Sequence, residues 1–322
     1  MRAFYKIFSK INFCAEKGNS MSEMSDRLRR EWLAADIKRD AKNIIPDEIE
    51  RFSNILYGEN AIWQVLDVYR PKCGKKILPV IVSFHGGGWI YGSKENYQYY
   101  GMELAKQGFA VINFTYRLAP ETKFPGALED MNKVIFWMYE NAEKYGFDLQ
   151  HILAVGDSAG AHLLGLYCAI CTNSDYAKNF AFKVPHGFRP SAIAMNCGIY
   201  KVYFDDIAYN ELDEELKEDF QLMTISLPDH GSDRERYLVN VLEHITPEFP
   251  PAYIMTCVGD TLAPQAPMLT QKYKEKNIYC ESVVYGDEFN PLYHVFHLNV
   301  NESISKKCNE DECGFFRRMM KK

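Results

Sequence analysis

Two glycine-rich turns carry the strongest chemical signals in this sequence. The first is Gly156-Asp157-Ser158-Ala159-Gly160, which follows the apolar run 152–155 and precedes a stretch of helical spacing over 159–172. A Gly-x-Ser-x-Gly between a strand and a helix is the context of a nucleophile elbow. The turn is too tight for large flanking side chains, so small residues surround the serine and its hydroxyl is thrust out at the carboxyl end of the strand. The amide of Ala159, at the helix start, points to where negative charge develops as a hydroxyl attacks a carbonyl. An incidental serine in a glycine-rich turn is the bland alternative, and the strand–turn–helix context argues against it. The second signal is His85-Gly86-Gly87-Gly88-Trp89, directly after the run LPVIVSF. Three glycines leave backbone amides uncovered, and such a loop donates hydrogen bonds to an oxyanion in esterase-type sites. The place of His85 before the glycines suits a structural role, holding the loop through hydrogen bonds.

A serine hydroxyl needs a base, and the base needs an acid to orient it. On a strand–turn–helix scaffold of this kind the chain order is Ser, then Asp or Glu, then His. Asp260 stands at the end of the run AYIMTCVG; its bland alternative is a helix cap. Only His294 and His297 follow it in the chain. His294 comes in a loop after the last apolar run, where a mobile base is expected. Asp287 and Glu288 are substitute acids, but they sit in the histidine's own loop. His162 lies on the helix after the elbow and is expected to point away from the site. Asp157 is expected to be a structural acid bonded to backbone near the elbow, and Arg117 with Asp130 a supporting ion pair.

The elements that position these residues follow from periodicity. Apolar runs at 62–69, 78–84, 110–116, 152–156, 192–197, 252–258 and 281–285 read as strands, several of them buried on both faces. Helical spacing covers 95–107, 126–144, 159–172, 265–277 and a polar C-terminal stretch near 310–321. Strands alternating with helices predict an α/β chain with a mostly parallel sheet. The first sixty residues read as two helices: one over 25–40 with Leu28, Trp32, Leu33 and Ile37 on one face, and one opened by Pro46 with Ile49 and Phe52 on one face. Residues 199–247 hold two helical patterns and no buried strand, which suits an amphipathic cap inserted between sheet strands.

The 322 residues are 47% hydrophobic and 25% charged, with a net charge of −6, an ordinary globular balance that excludes intrinsic disorder. The acidic balance argues against nucleic acid or an anionic membrane as partner. No apolar run is long enough to span a bilayer. Lys6, Lys10 and Asn12 interrupt what would have to be a signal-peptide core, and no small-residue cleavage site follows. The nine cysteines are odd in number and scattered. Cys168 and Cys171 read as structural thiols on a helix, and Cys308 and Cys313 lack further ligands for zinc. A cytoplasmic setting is expected.

Six motifs stand in order: HGGGW at 85–89, YRLAPE at 116–121, FPGALED at 124–130, GDSAG at 156–160, D-x-L at 260–262 and H-x-F at 294–296. On these motifs, which cover residues 61–298, the chain resembles the hormone-sensitive-lipase-like branch of the α/β-hydrolases. The resemblance implies an α/β-hydrolase fold with Ser158, Asp260 and His294 as a catalytic triad. It implies oxyanion amides from Gly87, Gly88 and Ala159, with His85, Gly86 and Asp157 in support. It also implies that the segment 1–60 packs as a helical cap over a catalytic domain spanning 61–322. Two departures stand out. The elbow continues Ala161-His162, as in feruloyl and acetyl esterases and kynurenine formamidase, and Ala263-Pro264 follows D-x-L in place of Arg-Asp. The expected activity is that of a serine carboxylesterase working on short-chain acyl esters through an acyl-enzyme, with no cofactor and no metal. The expected partner is a small-molecule ester, with a homodimer left open. The alternatives are an amidase or arylformamidase on the same triad and a non-catalytic hydrolase-fold receptor. Hydrolysis of a short nitrophenyl ester beside an N-formyl aryl amine separates esterase from amidase, and fluorophosphonate labelling separates either from a receptor.

Overall fold

The computed structural model describes residues 20–72, 74, 76–202 and 214–321. The stretch weighed as a signal peptide and residues 203–213 of the insertion lie outside them. The chain builds helix α1 (Ser20–Asp40), strands β1 (Ile49–Leu56), β2 (Val65–Pro71) and β3 (Leu78–Phe84), then helix α2 (Gln98–Lys106) and β4 (Ala110–Phe114). Helix α3 (Gly126–Glu140), β5 (Phe147–Asp157), α4 (Ala159–Thr172) and β6 (Ala192–Asn196) follow. The insertion contributes α5 (Glu214–Ser226) and α6 (Asp233–Leu238). Strand β7 (Ala252–Cys257), helix α7 (Gln265–Glu275), strand β8 (Cys280–Tyr285) and helix α8 (Ser303–Met319) complete the order.

The eight strands form one sheet in the order β1-β2-β4-β3-β5-β6-β7-β8. The β1–β2 and β2–β4 pairs are antiparallel and the rest parallel. Every residue of β4, β6 and β7 is buried, which is why these strands read as unbroken apolar runs. Alternation within them divides the core. Val80, Val82, Ala154, Ile193 and Ile254 face a layer that includes α3, α4 and α7. Ile81, Leu153, Val155, Ala194 and Met255 face a layer that includes α2 and α8. This is the mostly parallel sheet expected from the alternating elements, and the α/β-hydrolase fold that the resemblance implies.

Three expectations change. Residues 49–56 form an edge strand, not a second helix, so the sheet begins inside the segment read as a helical cap. A bulge between Phe52 and Ile55, with Asn54 at φ 58°, inserts one extra residue against β2. Ile49 and Phe52, read as one helical face, pack on opposite sides of the sheet, and the bulge leaves Phe52 and Ile55 together on one of them. The helix over 126–144 breaks at Asn141. The C-terminal helix starts earlier than 310 and is not merely polar: Cys308, Cys313, Phe315 and Phe316 are buried against the sheet.

Candidate active site

Strand β5 ends on Asp157 and α4 begins on Ala159, so Ser158 alone makes the turn. Its backbone sits at φ 51°, ψ −126°, a region costing a non-glycine residue on the order of 1–3 kcal/mol. The surroundings hold it there. The Ser158 amide donates to the Asn196 carbonyl at 3.0 Å, and its carbonyl accepts from the His162 amide at 3.1 Å. Helix α4 can start this close to the sheet because residue 160 is glycine: a Cβ there would stand 2.2 Å from the Phe84 carbonyl oxygen. Ala159 opens the helix, so its amide is one of the first-turn donors with no intrahelical acceptor.

The glycine loop runs beside this turn. Gly87 has φ 114°, and a Cβ on it would meet the Tyr91 carbonyl oxygen at 2.2 Å. Its carbonyl accepts the amides of Ile90 and Tyr91. The amides of Gly87 and Gly88 take no backbone acceptor among the described residues. His85 is packed inside the fold. It is buried, stacks on Tyr116 at 4.0 Å, and bonds through Nδ1 to the Gly86 carbonyl at 2.8 Å; burial pushes its pKa down to about 4. Asp157 is bonded to the Gly86 backbone, as expected, and also to Tyr97. The Gly86 amide donates to the Tyr97 oxygen at 2.8 Å, and the Tyr97 hydroxyl donates to Asp157 Oδ2 at 2.7 Å. Burial raises Asp157 to about 7. The relay locks the glycine loop to the turn that carries Ser158.

Asp260 and His294 come together across 34 positions of chain. His294 Nδ1 lies 3.0 Å from each carboxylate oxygen of Asp260. The carboxylate is fully buried, whereas 38% of the His294 side chain is open to solvent. Burial works to raise Asp260, but the hydrogen bond and charge of His294 outweigh it and leave its pKa lowered. Burial likewise works to lower His294, and Asp260, Asp157 and Asp219 outweigh it and leave its pKa raised. The charges of His294 and Asp157 interact, so the imidazole stands near the Ser158 turn. No hydrogen bond links the Ser158 hydroxyl to His294 among the described residues. Such contacts are often loose without substrate and tighten in the complex. Asp260 also accepts the Leu262 amide at 2.9 Å, closing a local turn, while the helix cap weighed for it falls at Pro264.

The rival residues are elsewhere. His297 is fully buried with neither ring nitrogen bonded, and burial holds its pKa near 3. Asp287 closes an exposed turn on the amides of Phe289 and Asn290. Arg117 and Asp130 form the expected pair, with Nη2 2.8 Å from Oδ1. His162 departs from expectation. It does not point idly away but bridges Trp89 of the glycine loop and the Val239 carbonyl.

Several site neighbours had no motif to reveal them. Arg29 of α1 donates to the carbonyls of Ile90 and Ala119, each at 2.7 Å, and to both oxygens of Glu121. Trp32 of α1 and Leu222 of α5 converge on the glycine loop: a Cβ on Gly88 would meet Leu222 Cδ1 at 2.9 Å and Trp32 Cη2 at 3.0 Å. A small cavity of about 30 Å³ lies beside the loop, with Trp89, Phe124, His162, Leu163 and Met223 in its walls.

Comparison with known proteins places this geometry in a family. The chain is 34% identical over 151 residues to the esterase LipC of Mycobacterium tuberculosis, covering 46% of this chain and 36% of that protein. It is 37% identical over 99 residues to an ethyl acetate hydrolase of Pseudomonas putida, covering 30% of this chain and 31% of the relative. The matched stretches thus span about a third of these relatives' length. Among solved structures, esterase B of Lactobacillus rhamnosis superposes with a TM-score of 0.83 at 22% identity, covering 94% of this chain and 97% of that one. A model of the family described as BD-FAE matches residues 66–272, a span that runs from β2 to α7 and takes in the glycine loop, the serine turn and Asp260. With its α/β-hydrolase fold, the chain belongs to the BD-FAE family.

Proposed function

We propose that the protein is a serine carboxylesterase that hydrolyses short-chain acyl esters. The observation that carries this reading is the strained Ser158 at the head of α4, flanked by a loop of open amides and neighboured by a buried Asp260 bonded to a half-open His294. In the proposed cycle, neutral His294 takes the Ser158 proton at Nε2 while Oγ attacks the ester carbonyl. Asp260 holds the Nδ1–H and balances the imidazolium. The amides of Gly87, Gly88 and Ala159 receive the oxyanion. Collapse breaks the bond to the alcohol, which leaves with the His294 proton. Water then repeats the sequence on the acyl-enzyme, releasing the acid and restoring Ser158. No step calls for a cofactor.

Short acyl groups are favoured because Trp32 and Leu222 crowd the space above Gly88, and a matched relative is an ethyl acetate hydrolase. In the same reading α1 and the 199–247 insertion form a two-part cap over the pocket, and a small-molecule ester is the partner. A cytoplasmic setting accords with the seven free thiols among the described residues. No helix among them is long and apolar enough to cross a membrane. The Ala161-His162 continuation gives no ground for preferring an amide, since His162 is occupied as a brace. The test is hydrolysis of nitrophenyl acetate, butyrate and octanoate beside an N-formyl aryl amine. Ser158→Ala should cost on the order of 10⁴-fold on the esters. Retention of more than about a tenth of the rate would overturn the assignment, and faster turnover of the amine would move it to the amidases.

A further inference from the structure

Beneath the Asp260–His294 pair lie two thiols that the proposed chemistry does not use. Cys197 follows β6 and Cys257 ends β7, and both are buried. Their sulfurs and a carboxylate oxygen of Asp260 all lie within 4.8 Å of one another. The backbone brings them together. The Cys197 amide donates to the Met255 carbonyl at 2.7 Å, continuing the strand pairing, but Cys197 itself sits at φ 45°. That left-handed turn brings its side chain to Cys257 and Asp260, where an extended residue would have kept the alternation of the sheet. The Cys257 thiol also donates to the Tyr293 carbonyl at 3.3 Å, directly before His294. A surface groove bordered by Thr256, Cys257, Val258 and Ala263 reaches the same strand end.

We propose that Cys197, Cys257 and Asp260 form an inhibitory site for a thiophilic divalent cation of the zinc and cadmium type. Two sulfurs and one carboxylate oxygen select a soft or borderline ion over magnesium or calcium, which take oxygen ligands. With bonds of about 2.3 Å to sulfur, tetrahedral ligation sets donors roughly 3.8 Å apart, so inward shifts of under about 1 Å close the site. Both thiols bind as thiolates, so two S–H protons leave for solvent as two metal–sulfur bonds form. The fourth position stays open to water. Because binding releases these two protons, occupancy should strengthen as pH rises. The bound cation would draw on the same carboxylate that His294 uses at 3.0 Å. With its charge neutralised, Asp260 no longer supports the imidazolium, and hydrolysis stops. This last consequence rests on the catalytic reading above; the binding itself does not.

The experiment titrates the intact, fully reduced protein with Cd²⁺, reading the ultraviolet thiolate-to-cadmium charge-transfer band and nitrophenyl acetate hydrolysis in the same samples. One equivalent should raise the band and lower the rate more than tenfold, with EDTA restoring both. Cys197→Ser and Cys257→Ser, each checked for a native thermal transition, should lose that equivalent of band. Each should also keep its own uninhibited rate when Cd²⁺ is added. Cys168→Ser, on helix α4, should behave as the wild type. A band unchanged in both Cys197 and Cys257 variants, or absent from the wild type, overturns the site. A band that follows the two thiols while wild-type hydrolysis runs unimpaired retains the site and overturns the inhibition, and with it the role given to Asp260.

Discussion

Trp89 donates its indole N–H to Nδ1 of His162 at 3.2 Å, and His162 Nε2 bonds to the Val239 carbonyl at 2.7 Å. An indole can only donate, so Nδ1 accepts and Nε2 carries the ring's one hydrogen. Burial lowers the His162 pKa to about 4 and keeps the ring neutral. One side chain on α4 thereby fixes the glycine loop on one side and, on the other, the chain returning from the insertion. His162→Ala leaves a buried N–H and a buried carbonyl unpaired, at about 1–3 kcal/mol each. Thermal unfolding should show a loss of about 2–5 kcal/mol on that basis. The loop amides should lose their aim, so kcat should fall at least tenfold with KM changed less. Unchanged kcat in a folded variant would leave the bridge structural only.

Asn196 links the Ser158 turn to the far end of the chain. Its carbonyl accepts the Ser158 amide while its side-chain amide donates to Glu312 of α8 at 2.6 Å. Tyr100 donates to the other Glu312 oxygen at 2.8 Å, and burial raises this carboxyl to about 7. Glu312 and Asp157 hold protons in the folded state that the unfolded chain releases, so their contribution to stability is lost as pH rises through about 7. Buried His85, His162 and His297, held near 4, 4 and 3, act in the opposite sense. The unfolded chain protonates them below 6.5, so stability falls as pH drops below that value. With buried His244 also lowered, the histidines that take up protons on unfolding outnumber the two carboxyls that release them, so stability falls as pH drops below 6.5. Melting temperature should peak between pH 6.5 and 7. Glu312→Gln should flatten the alkaline side, because its amide can donate to Asn196 Oδ1, which has no partner now. Glu312→Ala should destabilise at every pH. Equal melting curves for the two variants would sink this account.

The serine turn, the glycine loop and six of the seven strands read from periodicity were legible because short-range rules dictate them. Small residues fit a tight turn, and apolar runs fit a two-sided sheet. What escaped was set by partners remote in sequence. Ile49 and Phe52 matched a helical spacing, although pairing with β2 sends them to opposite faces of the sheet. The 62–69 run was read a few residues early, since Tyr57 and Gln64 close a turn before β2. His162 looked idle because its partners lie 73 and 77 residues away. Glu312 looked like one more charge on a polar helix, though it is fully buried.

His294 should reveal its partners through the pH dependence of the proposed hydrolysis. Burial would lower its pKa, but Asp260, with Asp157 and Asp219, holds it above the ordinary 6.5. A general base must be neutral, so kcat/KM should rise with pH along a limb centred above 6.5. Asp260→Asn removes the main support and should shift the limb down while cutting kcat by on the order of 10³–10⁴. Asp219→Asn, on α5, should shift the limb down slightly with kcat nearly kept. A limb at 6.5 or below in the wild type would contradict the charge arrangement around His294.

Trp32 tests whether α1 limits the acyl chain. The helix is anchored by Leu28, which is buried, and by the Arg29 bonds to the carbonyls of Ile90 and Ala119. Trp32 is therefore held over Gly88 by neighbours that its own replacement leaves intact. Its ring packs edge-on against Tyr91 at 5.8 Å and is only partly buried. Trp32→Ala should cost less than the 3–5 kcal/mol typical of a fully buried tryptophan, roughly 1–2 kcal/mol. The space it vacates lies where an acyl chain bound at the loop amides would extend, opposite Leu222. The variant should hydrolyse nitrophenyl octanoate several-fold faster relative to acetate than the wild type does, and Leu222→Ala should add to the shift. Arg29→Ala is the contrast: it frees the loop carbonyls rather than the space, so it should lower turnover of all chain lengths alike. If Trp32→Ala keeps the wild-type chain-length profile, α1 braces the loop and the acyl limit is set by other walls of the pocket.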